Sequence, residues 1–98
     1  MVSMPCIFSP LAASDLEEIG DYIAKDNPNR ALTFVHEIRV RCQKIVSFPE
    51  AAQAHAEYGE GVRMIPHGRY LIFYTVQPEH VRIERILSGF RNLPDMFL

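Results

Sequence analysis

The chain has 98 residues, of which 48% are hydrophobic and 22% are charged, and its formal net charge is −2. A chain of this length buries one hydrophobic core, so two independent domains are excluded. No apolar stretch approaches the roughly 18–20 uncharged residues of a membrane helix, and residues 1–14 lack the basic start and apolar run of a signal peptide. We therefore expect one domain, residues 1–98, in a cytoplasmic protein with no membrane partner.

The two cysteines, Cys6 and Cys42, are far apart in the sequence. Neither has a second Cys or a His at metal-ligand spacing, so we expect neither a zinc site nor a disulfide framework. The sequence contains no Gly-rich phosphate loop and no Ser/His/Asp set. It therefore predicts two reduced, buried thiols and no metal or cofactor.

Charge is distributed unevenly along the chain. Residues 1–61 carry five Lys or Arg against nine Asp or Glu, whereas residues 62–98 carry five Arg against three acidic residues. A dedicated nucleic-acid binder is usually basic overall, because phosphate neutralisation dominates its affinity, so the composition disfavours direct nucleic-acid binding. The planar guanidinium of Arg also suits a carboxylate or a protein interface. The cationic last third is therefore the first indication of a binding surface.

A short strand and a helix are predicted first. Ile7-Phe8 is a short apolar run, and Ser9-Pro10 is a helix start signal, since Ser accepts a hydrogen bond from free N–H groups and Pro tolerates the first helical position. An apolar stripe then extends this helix to about Lys25. We assign the stripe Leu16, Ile19 and Ile23 to the core.

A second helix follows at once. Asp26-Asn27-Pro28 repeats the start signal, and Phe48-Pro49 ends the helix. On its outer face Glu37 can pair with Arg41. The core stripe of this helix is Ala31, Val35, Ile38, Cys42 and Ile45. An irregular surface loop is expected over residues 50–61.

The remainder of the chain predicts a three-stranded antiparallel meander. Its strands are Val62 to Ile65, Arg69 to Val76 and Val81 to Leu87, rich in β-branched and aromatic residues. Pro66-His67-Gly68 and Gln77-Pro78-Glu79 are the predicted turns. The sequence therefore indicates the α+β class, with a helical hairpin packed on a small, mainly antiparallel sheet in the order β-α-α-β-β-β.

Two features of these strands bear on packing. The residues from Tyr70 to Tyr74 are apolar on both faces of the predicted strand, so this strand should be central and covered on both faces. One helical layer covers only one of these faces. In the last strand Val81, Ile83 and Leu87 share a face with Arg85, which places a guanidinium among apolar neighbours. Arg85 should then satisfy a buried carbonyl or carboxylate, whereas Arg82 and Glu84 should form a solvated pair.

Several short motifs follow one another over residues 7–94. They are Asp15-Leu16-Glu17-Glu18-Ile19, Asp21-Tyr22-Ile23, Asn27-Pro28, Phe48-Pro49-Glu50, Gly61-Val62-Arg63, Gly68 to Tyr74, Ile83 to Leu87, Gly89 and Arg91. In this order and spacing they resemble the ParE-type toxins of the RelE/ParE superfamily. Ser88 stands where the family often carries His, and Asn92 where it often carries an acidic residue.

The resemblance implies the toxin half of a bacterial type II toxin–antitoxin pair. It implies a cognate ParD-like antitoxin as partner, DNA gyrase as target, and a homodimer or a toxin–antitoxin hetero-oligomer. Members of the RelE branch instead cut messenger RNA on the ribosome, and an inactive member would retain antitoxin binding alone. These two alternatives stay open.

The nuclease alternative needs a base, an acid and cations around one phosphate. Arg63, Arg69 and Arg91 can supply the cations, and His67 and Tyr70 are the acid–base candidates. A packed aromatic ring and a solvated turn His are the commoner roles for those two residues. We therefore expect a protein-binding inhibitor rather than an enzyme.

Two sets of binding residues follow. The predicted target-binding residues lie in the cationic region and tail: Arg63, Arg69, Ser88, Arg91 and Phe97. The predicted antitoxin-binding residues are apolar, lie off the two core stripes and leave surplus apolar surface on the helical hairpin: Tyr22, Leu32, Phe34 and Val40. An antitoxin segment that folds on binding can wrap such a surface.

Overall fold

The computed structural model describes residues 4–89, in which two helices pack on one face of a four-stranded sheet. The elements are, in chain order, β1 (Cys6–Phe8), α1 (Pro10–Ala24), α2 (Pro28–Ser47), β2 (Arg63–His67), β3 (Tyr70–Val76) and β4 (Val81–Ser88), with a short 3-10 helix (Ala56–Tyr58) between α2 and β2. This order confirms the predicted β-α-α-β-β-β fold.

Both helices begin at the predicted start signals. The side chain of Ser9 accepts a hydrogen bond from the Ala12 N–H at 3.0 Å, and that of Asn27 accepts one from the Arg30 N–H at 3.0 Å. A proline follows each capping residue, where its missing N–H costs no helical hydrogen bond. Local sequence therefore fixes where the hairpin starts and where it turns.

The strands lie in the order β1-β4-β3-β2. β1 runs parallel to β4, and the other two pairings are antiparallel. A parallel pairing requires a long crossover connection. The helical hairpin is part of that connection, and it covers one face of the sheet.

The β3 strand is central and covered on both faces, as predicted. Ile72 and Tyr74 join the core beneath the helices, whereas Phe73 packs on the opposite face with Val62. The ring of Tyr58, from the segment between α2 and β2, meets Phe73 edge-on with 5.0 Å between ring centroids. That segment therefore helps to cover the face that the helices leave open.

A β-bulge in β4 changes which side chains face the helices. Ile83 and Arg85 are paired with successive residues of β3, so Glu84 is an extra residue in β4. A bulge shifts the alternation of faces. Ile83 therefore packs beneath the helices and Leu87 on the opposite face. The prediction that Ile83, Arg85 and Leu87 share one face is wrong for this reason.

Phe34 is a second correction. Its side chain is only 4% exposed and belongs to the main core, so the prediction that it lies on the surface of the hairpin is wrong. The ring packs against Tyr70 with 5.3 Å between centroids. Val35, which was assigned to the core stripe, is half-buried at the edge of the core.

Both cysteines are free thiols. Cys42 is buried in α2 and Cys6 is half-buried in β1, so the expected burial is complete for only one of them. A hydrogen bond between the two side chains lowers the pKa of Cys6, while the same contact together with burial raises the pKa of Cys42. The pair joins β1 to α2.

Candidate functional site

The structure brings three predicted target-binding or catalytic residues together at one end of the sheet. Arg69, Tyr70 and Ser88 line a crevice of about 340 Å³ where the turn between β2 and β3 approaches α1. The remainder of the lining comes from α1 and β4: Asp15, Glu18, Ile19, Tyr22, Ile86 and Leu87. We call this cavity the turn-end crevice.

A two-residue turn, Gly68-Arg69, positions Arg69 at this crevice. Gly68 has a φ of 59°, which glycine adopts freely at the first position of a tight hairpin turn. The carbonyl oxygen of Arg69 accepts a hydrogen bond from the Gly89 N–H at 2.9 Å, and Tyr70 pairs with Ser88. These backbone contacts hold the turn against the end of β4, while Arg69 stays exposed.

His67 lies in β2, so its predicted place in a turn is wrong. The strand continues through Pro66, and the chain reverses only at Gly68-Arg69. The Nε2 atom of His67 is 3.2 Å from Oε1 of Glu37 in α2, and its ring packs edge-on against Phe34. His67 therefore joins β2 to α2 and does not line the turn-end crevice.

Glu37 has partners other than the one predicted. Its carboxylate accepts hydrogen bonds from the guanidinium of Arg30 and contacts His67, and it makes no ion pair with Arg41 among residues 4–89. The contacts with Arg30 and then His67 lower the pKa of Glu37 from its usual 4.5.

A buried ion pair forms one wall of the turn-end crevice. Nε and an Nη atom of Arg85 each donate to a carboxylate oxygen of Asp15 at 2.8 Å, and the Ile86 N–H donates to the same carboxylate at 3.0 Å. The two charged side chains are 14% and 10% exposed. The prediction that Arg85 satisfies a buried carboxylate is confirmed. The hydrogen bond to Asp15 raises the pKa of Arg85.

Arg63, another predicted target-binding residue, does not line this crevice. Arg63 is four residues from His67 along β2, which separates them by about 13 Å. Its guanidinium donates to the carbonyl oxygens of Glu50 and Ala52, so it stabilises the segment after α2. Arg91 and Phe97 lie outside the described residues.

The predicted antitoxin-binding residues are also separated. Leu32 lines a groove of about 680 Å³ between α1 and α2, whereas Tyr22 lines the turn-end crevice. Phe34 is in the core, and Val40, 40% exposed, lines neither cavity. The interhelical groove combines small residues, carboxylates, an aliphatic side chain and a cation: Ala13, Gly20, Ala24, Ala31, Glu17, Asp21, Leu32 and Arg39.

Residues 4–89 contain neither a cluster of metal ligands nor a helix that could span a membrane. No three His, Cys, Asp or Glu side chains of this region come together in a way that could hold a metal ion. Its helices are too short or too polar to cross a membrane.

Comparison with known proteins identifies the family. The family model described as "ParE toxin of type II toxin-antitoxin system, parDE" matches residues 6–93. The chain belongs to the ParE toxin family. Its fold is similar to that of a solved structure described as "Chromosomal ParDE TA system from P. aeruginosa", with a TM-score of 0.74 and 22% identity over 88% of this chain and 96% of that one. No curated protein sequence matches the chain. The resemblance seen in the motifs is confirmed.

In this ParE-family chain three of the four described candidates for RNA cleavage, His67, Arg69 and Tyr70, lie around the β2–β3 turn, and Arg63 lies apart from them. Cleavage would need a proton acceptor, a proton donor and cations around one phosphate. Arg69 and Tyr70 share the turn-end crevice, but His67 contacts Glu37 and Arg63 contacts backbone carbonyls at the other end of β2. Within residues 4–89 the turn-end crevice presents a charged and aromatic surface.

Proposed function

We propose that this chain is the toxin of a type II toxin–antitoxin pair, that it inhibits DNA gyrase by binding it, and that a ParD-like antitoxin neutralises it. The observation that carries the proposal is the match of the ParE toxin family model to residues 6–93. The family consists generally of protein-binding toxins rather than enzymes.

The geometry supports binding rather than catalysis. The acid–base candidates His67 and Tyr70 both pack against the buried Phe34, and His67 also contacts Glu37. Arg63 is occupied by carbonyl oxygens. Arg69 remains as the exposed cation of the turn-end crevice.

The target surface in this proposal is the turn-end crevice with the chain that follows it. Arg69, Ser88 and Tyr22 supply a cation, a hydroxyl and an exposed aromatic ring, a combination suited to a protein interface. Arg91 and Phe97 follow Gly89, which is bonded to the turn. They remain predicted members of this surface.

The antitoxin surface in this proposal is the interhelical groove. Small side chains such as Gly20 and Ala31 let a partner approach closely, and Leu32, 73% exposed, offers apolar area at its side. Glu17 and Asp21 on the α1 side favour a partner that carries basic residues there. An amphipathic helix of the antitoxin fits these requirements.

Inhibition of gyrase tests the first half of the proposal. Purified toxin should inhibit supercoiling by gyrase, and Arg69→Gln should weaken the inhibition. Arg82→Gln loses the same charge on a side chain that does not line the turn-end crevice, and should inhibit like the wild type. Intact supercoiling together with site-specific messenger cleavage on ribosomes, abolished by Arg69→Ala, would establish the nuclease alternative instead.

Binding of the antitoxin tests the second half. The polypeptide encoded beside the toxin gene should bind the purified toxin, and Leu32→Asp should weaken the complex about tenfold or more, since burying a leucine side chain contributes about 1.5–3 kcal/mol. Leu11→Asp is the matched control, because Leu11 is 60% exposed on α1 and does not line the groove. Phe34→Asp is unsuitable, because it places a charge in the core. Tight binding without toxicity would identify an inactive member.

A further inference from the structure

A second, smaller crevice lies beside the C-terminal half of α2, between this helix, the segment that follows it and β2. It has a volume of about 150 Å³, and its lining includes Arg41, Lys44, Phe48 and Ile65. None of these residues lines the turn-end crevice or the interhelical groove. We call this cavity the basic crevice.

Its two cations have no acidic partner in the described part of the chain. Between Glu37 and Glu50 the sequence contains no carboxylate. Neither Arg41 nor Lys44 forms an ion pair within residues 4–89, whereas Arg30, on the same helix, is paired with Glu37. The basic crevice therefore carries positive charge that the described residues leave uncompensated.

The Nε–H group of Arg41 is an unpaired hydrogen-bond donor within residues 4–89. This atom is buried, and no residue from 4 to 89 accepts a hydrogen bond from it. Buried donors are nearly always paired, and a guanidinium is shaped to bind a carboxylate with two parallel hydrogen bonds. The side chain that carries this unpaired donor lines the basic crevice, which favours an external acceptor there.

Phe48 adds an apolar contact at the same place. It is 76% exposed, the most exposed of the large hydrophobic side chains in the described region. Phe48 follows the last residue of α2, and the core does not require its ring. An exposed aromatic ring beside cations is typical of a protein-binding surface.

The C-terminal end of a helix attracts cations in any protein, and this explains part of the pattern. Lys44 lies in the last turn of α2, where it interacts favourably with the helix dipole. The dipole explains neither the exposure of Phe48 nor the buried, unpaired Nε–H of Arg41. A ligand that is both acidic and apolar accounts for the cation of Lys44, the exposed ring of Phe48 and the unpaired Nε–H of Arg41.

We propose that the basic crevice binds an acidic segment of the antitoxin, with a carboxylate on Arg41 and Lys44 and an apolar side chain against Phe48. This rests on the proposed function, since it assigns a second contact to the same partner. A protein segment fits better than nucleic acid, because Ala51, Ala52 and Ile45 make much of the crevice apolar and the whole chain is net acidic.

One polypeptide can reach both surfaces. Arg39 belongs to the interhelical groove, and Arg41 and Lys44 lie on the same half of α2. Crossing the outer face of a helix takes about five or six extended residues. Val40, 40% exposed, lies between Arg39 and Arg41 in the sequence and offers an apolar contact to the crossing chain.

The test compares two double variants of the toxin that lose the same charge. Arg41→Gln with Lys44→Gln should weaken binding of the polypeptide encoded beside the toxin gene by about tenfold to a hundredfold. Lys25→Gln with Arg82→Gln removes two cations elsewhere and should change the dissociation constant by less than about threefold. The difference between the two double variants should shrink between 0.1 M and 0.5 M salt.

A third variant tests the apolar contact. Phe48→Ser should weaken the complex about tenfold while leaving the melting temperature of the free toxin unchanged, because the ring is mostly exposed.

Each contrary outcome identifies a different error. A wild-type toxin that binds tightly while all crevice variants bind equally well overturns this inference and leaves the proposed function standing. Equal weakening by both double variants reduces the effect to net charge and also overturns it. A lower melting temperature of the free double variant would show that the chain's own residues fill the crevice, and loss of a toxin dimer would show that a second copy does. Absence of any wild-type complex overturns both proposals.

Discussion

Arg82 and Arg85 are three residues apart on β4, and each forms an ion pair, one exposed to solvent and one buried. Arg85 is 14% exposed and contacts Asp15 through two hydrogen bonds of 2.8 Å, whereas Arg82 is 42% exposed and contacts Glu84 at 3.0 Å. Water screens the exposed pair, but a buried charge that loses its partner stays uncompensated. Burial, rather than the number of contacts, therefore decides what each pair does for the fold.

Removing one partner of the buried pair should have the largest effect. Asp15→Ala removes the acceptor of two Arg85 hydrogen bonds and of the Ile86 N–H. We expect a loss of about 3–5 kcal/mol in the free energy of unfolding, which lowers the melting temperature by at least about 12 °C. Thermal unfolding measures this. Glu17→Ala, at an exposed carboxylate of the same helix, should unfold near the wild-type temperature.

Replacing both partners sharpens the comparison. Asp15→Leu combined with Arg85→Met removes both charges and keeps apolar volume, so it should recover part of the stability lost in Asp15→Ala. Recovery should stop about 1–3 kcal/mol short of the wild type, because the Ile86 N–H still lacks an acceptor. Urea denaturation of the single and double variants gives the coupling. Additive losses would contradict this account.

The contribution of a third ion pair, between Glu37 and Arg30, should depend on pH. Contacts with Arg30 and His67 lower the pKa of Glu37 below 4.5. A lowered carboxyl pKa stabilises the fold above the unfolded pKa, and this contribution disappears as the pH falls through the folded pKa. The wild type should therefore be more stable than Glu37→Gln at pH 7, and the difference should shrink as the pH falls below 4.5 and through the lowered pKa of Glu37. The urea midpoint at each pH measures it, and a difference independent of pH would refute the assignment.

The smallest effect should come from the exposed pair. Arg82→Gln should change the free energy of unfolding by less than about 1 kcal/mol. Glu84 would still accept a hydrogen bond from the Thr75 hydroxyl at 2.8 Å. The measurement is the melting temperature at low and at high salt. A drop comparable with that of Asp15→Ala would show that burial is not the deciding factor.

The sequence was sufficient for the elements whose signals are local. Ser9 and Asn27 cap the helices where the Ser-Pro and Asn-Pro pairs stand, because capping involves residues three positions apart. The bulge at Glu84 was missed, since an extra residue leaves no mark on a short apolar pattern. The partner of Arg85 was predicted only as a class, because Asp15 is 70 residues away.

The functional site was less accessible to sequence reasoning. Phe34 resembled a surface residue because the helical period assigns the stripe to Val35, and only the nearby rings of Tyr70 and His67 explain its burial. Tyr22 was assigned to the antitoxin, yet the structure places it in the turn-end crevice with Glu18. No periodicity carries that information, because it depends on how α1 lies against the end of β4.

The partners of β1 and the start of α1 come late in the chain. β1 pairs with β4, and the Ser9 hydroxyl donates to the Glu84 carbonyl oxygen across 75 residues. Such distant contacts form slowly, because a long loop must close before they stabilise anything. During synthesis the first strand and helix therefore remain without these partners until β4 has left the ribosome. The turn-end crevice, built from α1, the β2–β3 turn and the end of β4, does not exist before then, so a nascent chain lacks its proposed target-binding surface.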